Sequence, residues 1–538
     1  MDGAHSGGTA GGTAHELGAS RTLWELLARR AEHTPHTPAL IQAGAGPDGD
    51  RTLTFGALRE QAERTAAGLY ERGVRKHDTV VWQLPTRIET VVLSLALARL
   101  GVRQSPLIPY SRAREVGLAL RATGARLYAH PGRWRGFDYA DMANRLAPGL
   151  DRRPEVLTVY DTLPDGDPER LPPPPDDGTA VRWIYWTSGT TSEPRGVRHT
   201  DRSLIAGGSC LAHALRPRPD DTGSVAFPYA HIGGPDYLVM TLLYGLPAVL
   251  FEQFALPDAL DAYRRHRVTL AGGSTAFYSL FLAEQRKRPG QRLIPTLRLL
   301  AGGGAPKPPD LYHEVVGELG CQLAHGYGMT EAPMITMGDP GDTAERLATT
   351  EGRPPDGMEI RITGPDGAPR PSGADGEVRL RGEAVCRGYL DEAESAGAFD
   401  DEGFLRTGDL GHLTPDGYLV LTGRTKDIII RKGESISAKE IEQLLYEHPA
   451  VGDAAVIGLP DARRGERVCA VLEQPAGAGE LTLDGVTAYL RQRGLATHKL
   501  PEQLEVVAAL PRNEALRKVL KYKLRERFSA PRGTEPAG

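Results

Sequence analysis

A short segment of the chain brings together side chains suited to binding a phosphate group. It runs from Thr187 to Gly196 and reads TSGTTSEPRG. Glycine allows tight turns and a close approach of the backbone to a ligand, while hydroxyl and backbone N–H groups donate hydrogen bonds to phosphate oxygens. The segment lacks the G-x-x-x-x-G-K-[ST] pattern of a P-loop. It therefore predicts an anion site of another kind, with a Ser/Thr/Gly-rich surface turn as the alternative.

The elements around this segment indicate how it is positioned. RWIYW, which directly precedes it, reads as a buried strand. Upstream, helical spacing of apolar residues alternates with strand-like runs through three cycles that end at His130. Such alternation indicates parallel sheets covered by helices. The phosphate segment is then a loop that leaves a strand of such a sheet.

The second half of the chain has a different character. After Glu345, the short strands MEIRITG, GEVRLRG and GYLVLTG are separated by Gly-Asp and Asp-Gly turns, which indicates a small antiparallel barrel or meander. A compact mixture of strands and helices follows GRTKD. The sequence therefore predicts a disordered tail at 1–19, an N-terminal domain at 20–423, a C-terminal domain at 424–529 and a second tail at 530–538.

Length and composition argue against several classes of protein. A chain of 538 residues is too long for one core, and a net charge of −5 argues against general nucleic-acid binding. The four cysteines lack metal-ligand spacing, which indicates reduced thiols in a cytoplasmic protein. The first residues lack the apolar core of a signal peptide. The longest apolar run, Thr90 to Val102, contains Arg99 and is too short to span a bilayer.

Six motifs occur in the order typical of one protein family. The segment at 187–196 is similar to the T-S-G-T-T-G-x-P-K-G loop of the adenylate-forming superfamily, which includes acyl-CoA synthetases, adenylation domains of peptide synthetases and luciferases. The other five resemble further motifs of this family and read FPYAHIGG, AGGGAP, GYGMTEAP, RTGDLG and GRTKDIIIRKGESISAKEIE. The likeness extends from Thr22 to Phe528. Any one motif could be an ordinary turn or strand, whereas six in order make the resemblance specific.

The resemblance implies a fold and a reaction. The fold is α/β, with a large N-terminal domain of two doubly wound α/β subdomains plus a small β-barrel, and a small mobile α+β C-terminal domain. In the reaction a carboxylate attacks the α-phosphate of ATP, pyrophosphate leaves, and an acyl-AMP forms. Mg²⁺ would neutralise the triphosphate, and the thiol of CoA would accept the acyl group.

The resemblance also assigns roles to individual residues. Those expected at the nucleotide phosphates are Thr187, Ser188, Gly189, Thr190, Thr191 and Arg195. Those expected at the adenine are Gly303, Gly304, Ala305, Tyr327 and Gly328. Asp409 would bind the ribose, and Arg424 would support the ribose and phosphate side. Thr330 would bind the α-phosphate, and Glu331 would bind Mg²⁺. Taken singly, Asp409 could form a turn, Tyr327 could fill the core and Arg424 could end a strand. The ordered set of motifs favours the nucleotide roles.

Three departures from the family pattern concern catalysis. Ser192 stands where the family has glycine, so a positive φ there would be costly. Arg195 replaces a lysine and keeps the cation with a different donor geometry. The C-terminal P-x-T-x-x-G-K motif is irregular, since LPRNEALRKVLK has an extra residue and no glycine. Alignment on KVLK selects Lys518 as the catalytic lysine, with a basic surface helix that includes Lys521 and Lys523 as the alternative.

The resemblance implies that the C-terminal domain serves two half-reactions in turn. The domain would swing after adenylation and replace the face that carries Lys518 with one that admits a thiol. Lys426 of GRTKD would be the hinge, because a link between domains absorbs the backbone change. The path of the CoA thiol would be lined by Lys432, Gly433 and Glu434.

The acid and its acceptor are less defined. His231 would act at the acid pocket and is followed by Ile232, where amino-acid-activating relatives carry the aspartate that binds the α-ammonium; Asp236 lies nearby. The chain most resembles acyl-CoA ligases of the cyclohexanecarboxylate, medium-chain and aryl type. CoA or a separate carrier protein would accept the acyl group. One alternative keeps the adenylation step with another acid or acceptor, such as an amine, or nitrite for diazo formation in secondary metabolism. A nucleotide-binding protein with a degraded site is the other.

Overall fold

The computed structural model of the protein describes residues 14–44, 49–187, 194–304, 307–431, 434–461, 463–475, 477–512 and 518–529. The chain divides into two compact units. Among the described residues, the first unit contains 14–187, 194–359 and 381–405, and the second contains 360–380 and the residues from 406 onward. The predicted domain boundary at 424 falls inside the second unit and stays a prediction.

The predicted disordered tail at 1–19 is wrong at its C-terminal end. Residues 14–18 are helical, and Leu17 is fully buried in the same hydrophobic core as Leu23 and Leu26. A single leucine in a Gly/Ala-rich segment is a weak sequence signal, yet burying its side chain contributes about 1.5–3 kcal/mol. This gain can order the turn that carries it.

The strands of the first unit form three larger sheets and a two-stranded pair within the described chain. They are β1 (Pro38–Gln42), β2 (Arg51–Thr54), β3 (Thr79–Trp82), β4 (Arg103–Pro106), β5 (Leu127–His130), β6 (Arg133–Trp134), β7 (Phe137–Asp138), β8 (Glu155–Thr158), β9 (Val181–Trp186), β10 (Gly196–Thr200), β11 (Gly223–Val225), β12 (Ala248–Leu250), β13 (Leu270–Gly273), β14 (Leu299–Gly303), β15 (Gln322–Met329) and β16 (Ala332–Met337).

The two sheets that carry the predicted nucleotide motifs are largely parallel. One has the order β10-β9-β4-β3-β5-β8 and the other the order β13-β14-β15-β16. Every neighbouring pair from β9 to β8 is parallel, as are β13, β14 and β15, whereas β10 and β16 are antiparallel edge strands. The third sheet has the order β11-β12-β1-β2, and β6 pairs with β7. The α/β alternation predicted from the sequence is confirmed.

Helices surround these sheets. They are α1 (Leu23–His33), α2 (Phe55–Glu71), α3 (Ile88–Leu100), α4 (Ala113–Thr123), α5 (Tyr139–Leu146), α6 (Asp201–Leu215), α7 (Gly233–Tyr244), α8 (Leu256–Arg265), α9 (Thr275–Gln285), α10 (Pro309–Glu314), α11 (Ala344–Thr349) and α12 (Glu392–Ala398), with 3₁₀ turns at Ala147–Gly149 and Pro168–Arg170 and a π-helical turn at Val315–Leu319. Most of the longest apolar run of the sequence lies in α3, all of whose residues are buried. No helix in the described part of the chain is both long and apolar enough to cross a membrane.

The second unit contains an antiparallel hairpin and an α+β layer. Most residues of the four-stranded sheet β17 (Met358–Thr363), β18 (Gly376–Gly382), β19 (Leu405–Leu413) and β20 (Leu419–Arg424) belong to it. Its second sheet has the order β22-β21-β24-β23, with β25 beside β24, and consists of β21 (Ile428–Arg431), β22 (Glu434–Ser437), β23 (Asp453–Asp461), β24 (Gly465–Glu473) and β25 (Gln503–Val507). Its helices are α13 (Ala438–Tyr446), α14 (Leu483–Gln492) and α15 (Lys521–Phe528), with 3₁₀ turns at Thr425–Asp427 and Thr497–Lys499.

The second unit has a hydrophobic core of its own. Ile429, Ile441 and Leu490 are buried together from a strand and two helices. The fold is thus α/β, with a larger N-terminal and a smaller C-terminal domain, as the sequence predicts. All four cysteines of the chain are buried and outside any disulfide.

Candidate active site

The predicted phosphate segment connects two paired strands. β9 and β10 are antiparallel, with Trp186 opposite Gly196. At the base of the connection, Thr187 N–H donates to the Arg195 carbonyl at 3.0 Å, and Arg195 N–H donates to Thr187 Oγ1 at 3.1 Å. These bonds close the base of the hairpin. The hydroxyl-rich tip predicted at Ser188, Gly189, Thr190 and Thr191, together with Ser192, lies outside the described residues.

The predicted adenine motifs lie on neighbouring strands. β14 and β15 are parallel, and Gly303 is opposite Gly326, the residue before Tyr327. The backbones are so close that a Cβ on Gly303 would lie 2.3 Å from the Gly326 carbonyl oxygen. Gly304 follows with φ +81°, in the left-handed region. Carboxyl ends of parallel strands form the usual ligand-binding crevice of α/β sheets. The sheet therefore brings Gly303, Gly304 and Tyr327 to one edge, while Ala305 lies outside the described residues.

The turn after β15 carries Thr330 and is anchored by a histidine. His199 Nε2 lies 2.8 Å from the Thr330 carbonyl oxygen, and its Nδ1 lies 2.9 Å from Ser203 Oγ. Burial lowers the pKa of His199 to about 4, so the imidazole is neutral near pH 7. A neutral ring donates from Nε2 and accepts at Nδ1, which matches both contacts. Sequence analysis missed this role of His199, although the residue lies just beyond the phosphate segment.

The carboxylate of Glu331 is buried within a small polar cluster. Tyr389 OH donates to Glu331 Oε1 at 2.7 Å, and Arg195 Nη2 lies 3.8 Å from the same oxygen. The Arg195 guanidinium lies over the Tyr389 ring, 4.5 Å from its centroid. Burial, together with the Glu331 carboxylate, raises the pKa of Tyr389 well above its ordinary value, so the phenol keeps its proton. The structure thus joins two predicted residues and adds Tyr389, whose sequence context CRGYL gave no chemical signal.

Glu331 is suited to share a magnesium ion with a nucleotide. Mg²⁺ prefers oxygen ligands and is commonly held by one or two carboxylates together with substrate phosphates. Across the described ranges, no group of three or more His, Cys, Asp or Glu side chains could hold a metal ion. A single buried carboxylate with one oxygen held by a phenol fits the shared mode of binding.

The predicted acid-pocket residue His231 lies in the turn that precedes α7. Its backbone N–H donates to the Pro228 carbonyl at 2.9 Å, and Gly233 N–H donates to His231 Nδ1 at 3.3 Å. One turn into α7, Asp236 is buried, and its Oδ1 has no hydrogen-bond partner among the residues that the structure describes. Burial raises the pKa of Asp236 well above its ordinary value. Burial thus disfavours the charged form of this carboxyl, which is the form that would bind an α-ammonium group.

In the second unit, the two predicted ribose residues are direct neighbours. Asp409 on β19 is opposite Arg424 on β20, and Arg424 Nε donates to Asp409 Oδ1 at 2.7 Å. The Asp409 side chain is buried, whereas that of Arg424 is 44% exposed. Asp409 N–H also donates to Thr407 Oγ1 at 3.0 Å. Hydrogen bonds within the protein thus fix the Asp409 carboxylate beside the Arg424 guanidinium.

The structure distinguishes the three lysines near the C-terminus. Lys521 Nζ lies 2.7 Å from Glu442 Oε1 and 3.8 Å from Asp427 Oδ2, so ion pairs hold it within the second unit. Lys523 is exposed on α15. Lys518 directly precedes Val519, which bridges to Arg512, and Leu520 N–H donates to the Pro511 carbonyl at 2.7 Å. Backbone pairing thus holds the chain directly after Lys518.

The remaining predicted residues of this unit flank the first strand of its mixed sheet. Lys426 is exposed in the 3₁₀ turn between β20 and β21. Glu434 begins β22, opposite Arg431 of β21. Lys432 and Gly433 lie outside the described residues. The hinge role of Lys426 and the thiol-path role of Glu434 stay predictions.

Comparison with known proteins identifies the family. The family model described as AMP-binding enzyme matches residues 27–390. The chain belongs to the AMP-binding enzyme family. The model of the AMP-binding enzyme C-terminal domain matches residues 440–515. The resemblance found in the sequence motifs is thereby confirmed.

Curated members of the AMP-binding enzyme family match almost the full chain. The salicyl-AMP ligase / salicyl-S-ArCP synthetase of Mycobacterium tuberculosis is 32% identical over 91% of this chain and 88% of its own. The feruloyl-CoA synthase of an Amycolatopsis species is 32% identical over 93% of this chain and 98% of its own. The medium-chain fatty-acid–CoA ligase of Escherichia coli is 30% identical over 88% of this chain and 86% of its own.

Solved structures support the family fold. The o-succinylbenzoate CoA synthetase of Bacillus subtilis in complex with ATP and magnesium superposes with a TM-score of 0.80 at 29% identity, covering 93% of this chain and 98% of that one. An amide bond synthetase of Marinactinospora thermotolerans superposes with a TM-score of 0.79 at 28% identity, covering 93% of this chain and 99% of that one.

Proposed function

We propose that the protein is an ATP-dependent acid–thiol ligase. It would activate a carboxylic acid as acyl-AMP with release of pyrophosphate and then transfer the acyl group to the thiol of CoA. The observation that carries this proposal is the cluster of Arg195, Glu331 and Tyr389, because it joins the phosphate hairpin to the predicted magnesium carboxylate. Family membership and relatives named as CoA ligases support the reaction type.

The first half-reaction transfers the adenylyl group. An oxygen of the substrate carboxylate forms a bond to the α-phosphorus of ATP, and the bond from that phosphorus to the α,β-bridging oxygen breaks as pyrophosphate leaves. Negative charge builds up on the phosphoryl oxygens, so correctly placed donors and cations accelerate the step. Arg195 would donate to the departing phosphates, and Thr330 would donate to the α-phosphate.

Magnesium would supply charge neutralisation on the triphosphate when bound, with Glu331 as its protein ligand. Tyr327, Gly328 and the glycine edge at 303–304 would hold the adenine. Asp409 would accept hydrogen bonds from the ribose hydroxyls, with Arg424 as its support. Lys518 would donate to the carboxylate and the α-phosphate together.

The second half-reaction transfers the acyl group. The thiol sulfur would form a bond to the acyl carbon, the thiol proton would leave to solvent or a base, and AMP would depart. A swing of the C-terminal domain at Lys426, with Glu434 on the thiol path, is part of this proposal. So is a cytoplasmic location, where the four buried cysteines would stay reduced.

A different acceptor is the second candidate. One relative is named as a salicyl-S-ArCP synthetase, and one structural neighbour is an amide bond synthetase. These likenesses favour a carrier-protein thiol or an amine as the alternative acceptor after the same adenylation step. Nitrite as the oxyanion is a further variant of the same chemistry.

Pyrophosphate exchange into ATP, measured over a panel of acids, tests the proposal. The panel contains aryl, cyclohexyl and medium-chain carboxylic acids, α-amino acids and nitrite, each with and without CoA. We expect exchange with a carboxylic acid and acyl-CoA on addition of CoA. Exchange without acyl-CoA would favour the second candidate, and AMP release with no acid or nitrite would indicate a degraded site. A chain that binds no nucleotide would refute all of these functions.

A further inference from the structure

A phenol and a guanidinium lie near the same oxygen of the Glu331 carboxylate. The Tyr389 hydroxyl donates to Oε1 at 2.7 Å, while Arg195 Nη2 is 3.8 Å from that oxygen, beyond hydrogen-bond distance. The guanidinium instead lies 4.5 Å from the Tyr389 ring centroid. The phenol therefore makes the hydrogen bond to Oε1, and the guanidinium stays outside hydrogen-bond distance of that oxygen.

The position of Tyr389 is set by the strand that ends the phosphate hairpin. Tyr389 forms an antiparallel bridge with Val197, and the two pack in one buried cluster with Cys386. Leu390 N–H donates to the Gly196 carbonyl at 2.8 Å. The Glu331 carbonyl also accepts from Cys386 N–H at 2.8 Å. The segment 386–390 thus ties Glu331 to the hairpin through backbone and side-chain bonds.

We propose that Tyr389 is a positioning residue that keeps Glu331 available to the metal ion of the nucleotide. Its hydroxyl holds Oε1, and its ring holds Arg195 beside the carboxylate. If the hydroxyl is removed, the buried Oε1 loses its donor. Arg195 then closes on Oε1 and cancels the charge that Mg²⁺ needs. This inference rests on the proposed role of Glu331 as a magnesium ligand.

The affinity of the protein for a metal ion, measured without catalysis, tests this inference. Tyr389→Phe removes the hydroxyl and keeps the ring and its packing. Tyr139→Phe is the matched control, because Tyr139 is also buried and its hydroxyl also makes a 2.7 Å bond, to the Pro109 carbonyl. Free Mn²⁺ is followed by electron paramagnetic resonance as each protein is titrated in the presence of a non-hydrolysable ATP analogue.

Loss of an outer-shell partner lowers metal affinity about 10- to 100-fold. We therefore expect weaker Mn²⁺ binding of that size in Tyr389→Phe and wild-type binding in Tyr139→Phe. In a Glu331→Gln background, Tyr389→Phe should have no further effect, since the carboxylate it positions is gone. This non-additivity separates positioning from a general loss of packing, which would act equally in both backgrounds.

Four outcomes would overturn the inference. Wild-type Mn²⁺ affinity in Tyr389→Phe would remove the positioning role while leaving the proposed function intact. An equal loss in Tyr139→Phe, or an additive loss with Glu331→Gln, would show a structural role only. Failure of the wild-type protein to bind Mn²⁺ with the nucleotide would overturn the proposed function as well.

A second variant keeps the inference testable if Tyr389→Phe does not fold. Ser395→Ala leaves Glu331, Arg195 and the phenol unchanged and removes the hydroxyl that accepts from Tyr389 N–H at 2.8 Å. Because this bond helps to fix the backbone that carries the phenol, we expect weaker Mn²⁺ binding in Ser395→Ala and no further loss when Ser395→Ala is added to Glu331→Gln. Wild-type Mn²⁺ affinity in Ser395→Ala would contradict the inference.

Discussion

Arg424 Nε donates to Asp409 Oδ1 at 2.7 Å, from the residue directly opposite on the neighbouring strand. The two residues come from separate sequence motifs, RTGDLG and GRTKD, and the antiparallel pairing of β19 with β20 makes them a pair. Because the carboxylate is buried and the guanidinium is half-exposed, the arginine orients the aspartate from its solvent side. This arrangement suits a carboxylate that must meet two ribose hydroxyls.

The variant Asp409→Asn should weaken ATP binding. A hydrogen bond to a charged group contributes about 1.5–3 kcal/mol, so we expect the KM for ATP to rise about tenfold or more, with little change in the KM for the acid. Arg493→Ala, which removes the partner of Glu447 on the surface of the same unit, is the control. An unchanged KM for ATP in Asp409→Asn would remove Asp409 from the nucleotide site.

Replacement of Lys518 by alanine should separate the two half-reactions. Loss of one donor to a developing phosphoryl charge lowers kcat about 10²- to 10³-fold, so pyrophosphate exchange should fall by this factor. Attack of the thiol on a supplied acyl-adenylate should persist. Lys523→Ala is the matched control, since Lys523 is exposed five positions later in the same basic run. Normal exchange by Lys518→Ala would refute the assignment.

The neutral state of His199 predicts a loss of stability in acid. The unfolded histidine takes up a proton below its ordinary pKa of 6.5, whereas the folded one does so only near pH 4. The unfolded state therefore binds more protons between these values, and stability falls as the pH falls through this window. Melting temperatures measured from pH 7 to pH 4 should decline less steeply in His199→Asn. His130, with a pKa also lowered to about 4 by burial, contributes in the same window. An identical slope in wild type and variant would contradict the prediction.

The close approach of β14 and β15 makes Gly303 intolerant of a side chain. A Cβ at this position would lie 2.3 Å from the Gly326 carbonyl oxygen, so Gly303→Ala must push the strands apart. Overpacking of this kind costs about 1–3 kcal/mol, which chemical denaturation should detect. Gly317→Ala is the control, because its Cβ would meet nothing within 4 Å and its φ is not positive. Equal stability of the two variants would show that the sheet edge adapts.

The sequence by itself determined the class of fold, the family and the order of the nucleotide motifs. These depend on local patterns: the alternation of helical and strand spacing, glycine where backbones approach closely, and hydroxyls before a basic residue. It also pointed to Arg195, Glu331, Asp409 and Arg424 singly. The sequence did not show which of these residues contact one another, because a contact between distant segments depends on strand pairing and register.

Only the tertiary structure showed which of these residues contact one another. Strand pairing placed Arg424 opposite Asp409, and packing of 386–390 along β10 brought the Tyr389 hydroxyl to Glu331. In the sequence alone, Tyr389 in CRGYL and His199 in GVRHT belong to no pattern that indicates a chemical role. Burial made them informative, since most buried polar groups are hydrogen-bonded, and the partners of these two are site residues. Burial likewise tied Leu17 into the core, where composition alone predicted a disordered tail.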